Sequence, residues 1–147
     1  MRLTAYTDYT LRTLIFLALR APRHATIAEI ARRYAISDAH LTKVVHQLGL
    51  AGDIATVRGK GGGMRLKRPA SEINLGAVVR RTEPDLALVA CFADAGACAI
   101  GPACVLQTVL HAALGAFLAV LDGYTLADLV APRDRLSALL GIGEAAA

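Results

Sequence analysis

Apolar residues recur at intervals of three and four in three segments of the first fifty residues, which is the spacing of amphipathic helices. We predict helices over residues 7–20, 26–34 and 37–49. The first and third begin at hydroxyl side chains, Thr7 and Ser37, that can cap them. The side chains predicted to face inward are Leu11, Leu14, Ile15, Ala18, Leu19, Ile27, Ile30, Ala31, Leu41, Val44, Val45 and Leu48.

The pattern changes to an alternation of apolar and polar residues after Gly52. Ile54 and Val57 precede a glycine-rich basic tip, "RGKGGG", and Met64 and Leu66 follow it in alternation with basic residues. Such an alternation around a glycine-rich tip is typical of a β-hairpin. Because two helices joined by a tight turn come before the hairpin, residues 1–68 are predicted to form a winged helix-turn-helix.

A helical pattern returns after Pro69. We predict a fourth helix that ends near Pro84, a short apolar piece, a long helix over residues 102–122, and a short helix after Gly123. The predicted fold class is therefore mainly α with a small β wing.

The long helix is apolar enough to raise the question of a membrane. Gln107, Thr108 and His111 interrupt its apolar stretch, and the uninterrupted part falls short of the roughly 18 residues that a spanning helix needs. We interpret it as a buried or partner-facing helix. The opening residues lack the basic and apolar runs of a secretory signal, which predicts a cytoplasmic chain.

Charge divides the chain into two unlike parts, although the 147 residues are about the length of one domain. Residues 1–68 hold twelve Lys and Arg against four Asp and Glu, whereas residues 69–147 hold four against eight. A basic half indicates a polyanionic partner such as nucleic acid, and the alternative is an ordinary solvated surface.

The predicted groove-reading residues lie on the third helix and on the hairpin. In a helix-turn-helix, the first turns of the second helix reach base edges in the major groove. Lys43 and Gln47 are four residues apart and share a face, and glutamine can bond adenine while lysine favours guanine or phosphate. The candidate DNA-binding residues are Ser37, His40, Thr42, Lys43, Gln47, Arg58, Lys60, Gly61 and Arg65. An ordinary polar helix face and a plain solvated turn are the alternatives. The tip lacks the spacing of a nucleotide-binding loop.

All three cysteines, Cys91, Cys98 and Cys104, lie in "CFADAGACAIGPAC". Three cysteines cannot all pair as disulfides, and clustered cysteines in a cytosolic chain favour metal or redox chemistry. The small residues between them would let the chain wrap closely around a cofactor. Pro102 suits a first helical turn, which puts Cys104 near a helix N-terminus. Three cysteines acting as small buried apolar residues are the alternative.

Four segments together resemble the iron–sulfur winged-helix regulators typified by NsrR and IscR, in order and over nearly the whole chain. They are "MRLTAYTDYTLRTLIFLA", "ISDAHLTKVVHQL", "VRGKGGGMRL" and the cysteine segment with "CAIGPAC". The opening and the wing are more similar to the NsrR branch of nitric-oxide-sensing repressors. The resemblance implies a homodimer that is joined along residues 102–122 and binds an inverted repeat in double-stranded DNA. It also implies an iron–sulfur cluster, 4Fe–4S or alternatively 2Fe–2S, on the three cysteines.

The resemblance leaves the fourth cluster ligand open. IscR-type members use a histidine three residues after the last cysteine, where this chain has Gln107. His111 lies about 10 Å farther along the helix than Cys104, too far to share one iron site without rearrangement. NsrR-like proteins use an aspartate from the first helix of the other subunit, which corresponds here to Asp8. Asp8 can instead pair with Arg12 at i+4, so Arg12 is a candidate for coupling the cluster to the fold. Asp94 or an external molecule is the remaining option.

The expected function is that of a cytoplasmic repressor whose cluster senses nitric oxide and which releases DNA when the cluster is nitrosylated or lost. Its expected parts are a DNA-binding region at residues 1–68, a linker helix and cluster loop at 69–101, and a dimerisation helix and tail at 102–147. Alternatives are an iron or redox sensor of the same family, a zinc-stapled regulator, or a small iron–sulfur electron carrier. An enzyme is not expected, since no catalytic triad, carboxylate pair or nucleotide loop is present.

Overall fold

The computed structural model describes residues 2–94 and 96–142, so the tail at 143–147 lies outside the described residues. As predicted, the fold is mainly α with one small antiparallel sheet. The helices are α1 Ala5–Arg20, α2 Ile27–Tyr34, α3 Asp38–Leu50, α4 Leu75–Thr82, α5 Ala90–Ala93, α6 Val105–Asp122, α7 Leu126–Leu129 and α8 Arg133–Leu139. The strands are β1 Ile54–Val57 and β2 Gly63–Leu66, and the single 3-10 turns are Ala70–Glu72 and Gly101–Ala103.

The first helix begins earlier than predicted. Its cap is Thr4, whose hydroxyl accepts a hydrogen bond from the Thr7 backbone N–H, so the prediction of Thr7 as cap is wrong. Thr7 lies inside the helix, where its buried hydroxyl is 2.9 Å from Thr82 Oγ1. Two threonines three residues apart are both acceptable caps by sequence, and the contact with α4 distinguishes them.

The core lies where α1, α2 and α3 meet the sheet. Most of the predicted inward residues are buried, whereas Leu11, Ile15 and Ile27 are only partly buried against the core. Phe16 and Leu17 are also buried, which the predicted single face of α1 does not include. Phe16 meets the Tyr34 ring of α2 edge to face, and α7 also packs on α1 and adds the fully buried Leu126 to the same core.

The wing is a hairpin in which Ile54 pairs with Leu66 and Val57 with Gly63. The segment before α2 adds a short third edge. Ala25 donates its backbone N–H to Met64 O at 2.9 Å and accepts from Met64 N at 2.8 Å. The wing is therefore anchored through β2 to the loop between α1 and α2.

The second half of the chain closes back onto the first. Asn74 caps α4, and Gly76 has no side chain to separate α4 from the Asp122 carboxylate at the end of α6. The predicted short helix after Gly123 is α7, whereas α8 has no counterpart in the prediction. The Arg133 guanidinium donates to the backbone carbonyls of Ala18 and Leu19 at the end of α1, at 3.1 and 2.7 Å.

Helix α6 is 18 residues long with a mean hydropathy of 1.7, and none of its residues is buried in the single chain. Within the described residues, α6 is long and apolar enough to cross a membrane, judged by length and composition alone. Core helices of soluble proteins pass the same test. Gln107, Thr108 and His111 lie in this helix without lowering its hydropathy below that of a spanning helix, contrary to the prediction. The helix ends at Asp122 as predicted and begins at Val105, three residues later than predicted. It is not buried in its own chain, and its location against a partner stays a prediction.

Candidate DNA-binding face and cysteine segment

The helix-turn-helix is formed by α2 and α3. Ala35 ends α2 with a left-handed backbone (φ 53°), and Ile36 is buried beneath the turn. Ser37 caps α3 as predicted: its hydroxyl accepts from the His40 backbone N–H and is also 2.9 Å from His40 Nδ1. The two side chains are thus tied to each other at the start of the helix, and both are exposed.

Exposed side chains of α3 divide into an outward face and two flanks. Leu41, Val44, Val45 and Leu48 face the core, so by helical geometry Ala39, Lys43 and His46 lie on the opposite side.

The flank toward α1 carries His40 and Gln47. The His40 ring lies 5.8 Å from the Tyr9 ring, and Gln47 lines a cavity of about 240 Å³ with Tyr6 and Arg81.

The flank toward the wing carries Thr42. Thr42 and His46 line a cleft together with Thr56 of β1. Helix α3, the recognition helix of the predicted helix-turn-helix, and the wing therefore share one continuous surface. Thr42 Oγ1 donates to Asp38 O at 2.8 Å, a bond within the helix that leaves the methyl group and the oxygen lone pairs toward solvent.

The wing carries four exposed basic residues, and the backbone at its tip is tightly folded. A Cβ on Gly62 would collide with the backbone carbonyls of Val57 and Gly59, so the turn requires glycine at this position. Gly61 has φ +78° and is exposed, with open space around it. The exposed basic side chains are Arg58, Lys60, Arg65 and Lys67. A basic loop of this kind can bring both backbone amides and cationic groups close to phosphates.

His24 lies in the loop between α1 and α2 and contacts the wing, which sequence reasoning missed. Its Nδ1 lies 3.3 Å from the carbonyl oxygen of Gly61, and Gly63 packs against its Cβ and the Ala25 carbonyl. The contact spans 37 positions and leaves no trace in the local pattern. His24 therefore supports the tip from the side of the α1–α2 loop.

The three cysteines lie on three consecutive small elements. Cys91 is in α5, and Cys98 is in the loop that follows. Cys104 is the N-cap residue of α6, near a helix N-terminus as predicted, although Pro102 lies in the preceding 3-10 turn and not in the first turn of this helix. All three are partly buried and none is in a disulfide. The thiols are thus neither paired nor sequestered in the core, which argues against the alternative of three buried apolar residues.

Two contacts join the first cysteine to α6. Gln107 Nε2 donates to the Cys91 backbone carbonyl at 3.3 Å, and the rings of Phe92 and His111 stack with centroids 3.7 Å apart. His111 Nδ1 is also 2.9 Å from the Gln107 carbonyl. The two residues weighed as ligands on α6 are therefore engaged in fixing α5 against this helix.

Within residues 2–94 and 96–142, no three His, Cys, Asp or Glu side chains converge on one point as a single metal ion would require. An iron–sulfur cluster makes a different demand, because its protein ligands are distributed over two or four irons and do not converge on a single ion. Three unpaired, partly exposed thiols within fourteen residues of glycine-rich chain supply the soft donors that such a cluster takes. The donor set fits a cluster with one ligand still to be supplied.

The candidate fourth ligand, Asp8, lies in the first turn of α1, away from any contact with its own chain's cysteines in the described structure. Its carboxylate is paired with Arg12 Nε at 3.0 Å, and both side chains are almost half exposed. The guanidinium of Arg12 lies 5.7 Å from the ring centre of Tyr34, the last residue of α2. Burial raises the pKa of Tyr34, while Arg12 lowers it and Asp8 raises it further. The ion pair of Asp8 and Arg12 thus interacts electrostatically with Tyr34 at the end of α2.

The other candidate acid, Asp94, closes its own turn. Its Oδ1 accepts from the Gly96 backbone N–H at 2.8 Å, and the side chain is exposed.

Glu83 is a further residue that sequence reasoning missed. It follows α4 and accepts hydrogen bonds from the Thr4 backbone N–H at 2.9 Å and from the Thr4 and Thr7 hydroxyls. Burial pushes the pKa of Glu83 upward, but the hydrogen bonds from Thr7 and Thr4 outweigh it and hold the pKa below its ordinary value. A carboxylate at a helix N-terminus is also stabilised by the helix dipole. The segment that leads to the cysteines is therefore attached to the start of α1.

Comparison with known proteins agrees with this arrangement. Residues 3–132 match the family model of Rrf2, described as an iron-dependent transcriptional regulator. The chain is 50% identical to the HTH-type transcriptional regulator NsrR of Bacillus subtilis strain 168 over 146 residues, covering 98% of this chain and 100% of that protein. It is also 50% identical to the protein of the same name from Shouchella clausii strain KSM-K16, with 95% of each chain covered.

Among solved structures, the oxidized form of Staphylococcus aureus CymR superposes with a TM-score of 0.71 at 29% identity. That alignment covers 89% of this chain and 97% of CymR. The fold, the basic wing and the cysteine segment are thus found together in a chain whose similar proteins are transcriptional regulators and not enzymes.

Proposed function

The chain belongs to the Rrf2 family of transcriptional regulators, and on this premise we propose that it is a cytoplasmic repressor whose iron–sulfur cluster senses nitric oxide. One observation carries the proposal. Three unpaired thiols lie between α4, which packs on the DNA-binding half, and α6, which has no buried residue in the single chain. A sensor in this position would contact both the DNA-binding half and a dimer partner.

A homodimer formed through α6 supports the proposal physically. The side of α6 turned away from α4 presents an apolar stripe that includes Val105, Val109 and Val120, which are 75%, 55% and 62% exposed. Exposed apolar stripes of this length are unfavourable in water and mark interaction surfaces. Two copies crossing along α6 would cover both stripes and place two recognition helices on one DNA duplex, which matches an inverted-repeat operator.

The thiolates of Cys91, Cys98 and Cys104 would hold the cluster together with the partner subunit's Asp8. A bound cluster, 4Fe–4S or 2Fe–2S, would supply iron that nitric oxide can attack. The carboxylate of Asp8 is a hard donor beside soft thiolates and is the weakest of the four links.

Asp8 then has two competing partners, and Arg12 is the second. When Asp8 is available to Arg12, the ion pair at 3.0 Å forms and Arg12 stays over Tyr34, directly before the Ala35 turn. When Asp8 is held elsewhere, Arg12 loses that partner. The position of α2 and of the recognition helix would follow this exchange. A nearly complete switch requires that one state be favoured by about 5.5 kcal/mol.

On the DNA side, Lys43 would read the major groove from the outward face of α3, with Ser37, His40, Thr42 and Gln47 on its flanks. Arg58, Lys60, Gly61 and Arg65 of the wing would contact the backbone or the neighbouring minor groove. The proposed division is a DNA-binding region at 1–68, a cluster-bearing region at 69–101 and a dimerisation region at 102–147.

The test begins with protein purified without oxygen, its absorption spectrum, and its iron and sulfide content. DNA affinity is then measured with the cluster, without it, and after nitric oxide, on an inverted-repeat site selected from a random library. We expect tight binding only in the first state, and equal affinity in all three would contradict the proposal. Parallel titrations with oxygen and an iron chelator separate nitric oxide sensing from iron or redox sensing. Zinc content identifies a zinc-stapled regulator, and a reversible redox couple without salt-dependent DNA binding identifies an electron carrier.

The ligand assignment has its own test. We expect Asp8→Ala to accelerate cluster loss and to change the cluster spectrum while the melting temperature of the cluster-free protein stays the same. Asp94→Ala is the matched control, because it removes the other candidate carboxylate. The opposite pattern would transfer the ligand role to Asp94.

A further inference from the structure

Helix α4 contacts both the wing and the dimerisation helix. Arg80 donates to both carboxylate oxygens of Asp122 at the end of α6, at 2.5 and 2.7 Å. The next residue, Arg81, contacts a carboxylate at the base of the wing. Two neighbouring arginines on one short helix thus hold two different parts of the molecule.

The wing contact is centred on Asp53, whose side chain is completely buried just before β1. One of its carboxylate oxygens accepts from Arg68, directly after β2 and Lys67, and the other accepts from Arg81. The Asp53 carbonyl also accepts from the Lys67 backbone N–H at 2.8 Å. A buried carboxylate is costly without its partners, so Asp53 must keep both arginines close. Displacement of Arg81 would therefore be felt at the base of both wing strands.

The same end of α4 leads to the cysteine segment. Thr82 bonds Thr7 of α1, and Glu83 accepts from Thr4 and Thr7. Cys91 follows eight residues later. The cysteine segment is thus connected by a short stretch of chain to the end of α4 where Arg81 is located.

We propose that α4 transmits the state of the cysteine segment to the wing, with Arg81 as the positioning residue that joins them through Asp53. This inference rests on the proposed sensing function. It adds a second route to DNA affinity, separate from the exchange of partners at Asp8.

The experiment uses the full chain and three variants. Arg81→Met keeps a long apolar stem and removes the charged head, while Arg81→Lys keeps the charge. Arg135→Met is the control for net charge, because Arg135 is an exposed residue of α8 outside this chain of contacts. If Arg81→Met fails to fold, Arg68→Met interrupts the same contacts on the other side of Asp53.

The first measurement is amide hydrogen exchange in cluster-free protein. We expect Arg81→Met to accelerate exchange of the β1 and β2 amides, with Arg81→Lys and Arg135→Met close to the parent protein. Unchanged exchange in the wing would overturn the proposal. This measurement needs neither DNA nor cluster, so its result is independent of the sensing function.

The second measurement is the ratio of DNA affinities with and without the cluster. We expect Arg81→Met to shrink this ratio by roughly threefold to thirtyfold, as substitutions along a coupling network do. If both affinities fell equally, Arg81 would be a simple charge contact and the proposal would be wrong. A ratio of one in the parent protein would refute the proposed sensing function itself, and with it the signal that α4 is proposed to carry.

Discussion

The two halves of the chain differ in where their apolar side chains lie: buried in the first half, and exposed along α6 in the second. In the DNA-binding half, Phe16, Leu17 and Leu41 are almost completely buried and the exposed surface is basic. In α6, a helix with higher apolar content, no residue is buried. The first half therefore obtains its stability within one chain, whereas the second exposes the apolar surface that we propose a partner covers. Substitutions in the two halves should consequently change different properties.

The largest expected effect is on unfolding and lies in the first half. Phe16 is fully buried, and we expect Phe16→Ala to lower the free energy of unfolding by about 3–5 kcal/mol. Leu139→Ala changes a side chain that is 76% exposed and should cost well under about 1 kcal/mol. Denaturant unfolding curves of the two variants measure the difference. Comparable losses would mean that burial in the single chain does not determine stability.

Disruption of the dimer should come next. We expect Val109→Glu to convert a dimer into monomers at micromolar concentration, because an unpaired charge would have to be desolvated in the α6 seam. The helical content of the monomer should persist, since Val109 contributes nothing to the single-chain core. Sedimentation equilibrium and circular dichroism measure the two properties. Leu139→Glu is the matched control, an exposed leucine outside α6, and a dimer that withstood both changes would place the interface elsewhere.

A smaller effect is expected at the basic surface. Lys43→Ala and Arg58→Ala should each weaken DNA binding and reduce the slope of log affinity against log salt by about one if the contact is to phosphate. Neither should change the dimer or the cluster. Fluorescence anisotropy over a range of salt concentrations provides the measurement. Arg135→Ala removes the same charge from α8 and should leave the slope unchanged.

The smallest effect concerns the ion pair that joins α4 to α6. The hydrogen bonds from Arg80 hold the pKa of Asp122 below its ordinary value of 3.8. A lowered folded-state pKa means that the pair stabilises the protein above that value and that the contribution is lost as pH falls through the lowered pKa. We expect the difference in melting temperature between the parent and Asp122→Asn to be small near neutral pH, as for other exposed pairs, and to vanish once the pH has fallen through the lowered pKa. A difference that persisted in acid would show that packing against Gly76, and not charge, joins α4 to α6.

Local pattern was sufficient for most of the fold. The face of α3, its Ser37 cap and the hairpin follow from periods of 3.6 and 2, which are properties of neighbouring residues. The contacts that sequence reasoning missed are long-range: Asp53 with Arg81 is 28 positions apart, and Thr4 with Glu83 is 79. The local sequence around a charged residue does not indicate which distant residue it pairs with.

The candidate site divides in the same way. The types of residue at the wing and in the cysteine segment are visible in the sequence, and so is the i+4 pairing of Asp8 with Arg12, which the structure contains. The roles of Gln107 and His111 in fixing α5 are not visible, because they depend on how α6 lies beside it.

The capping of α1 by Arg133 has a consequence for the order in which the protein is made. The guanidinium that satisfies the carbonyls of Ala18 and Leu19 is more than a hundred residues downstream, and the core residue Leu126 is almost as far. A ribosome must therefore release most of the chain before the first helix receives its last contacts. By then the three cysteines have already been synthesised. The DNA-binding half thus receives its last contacts only on a chain that already carries all three cysteines.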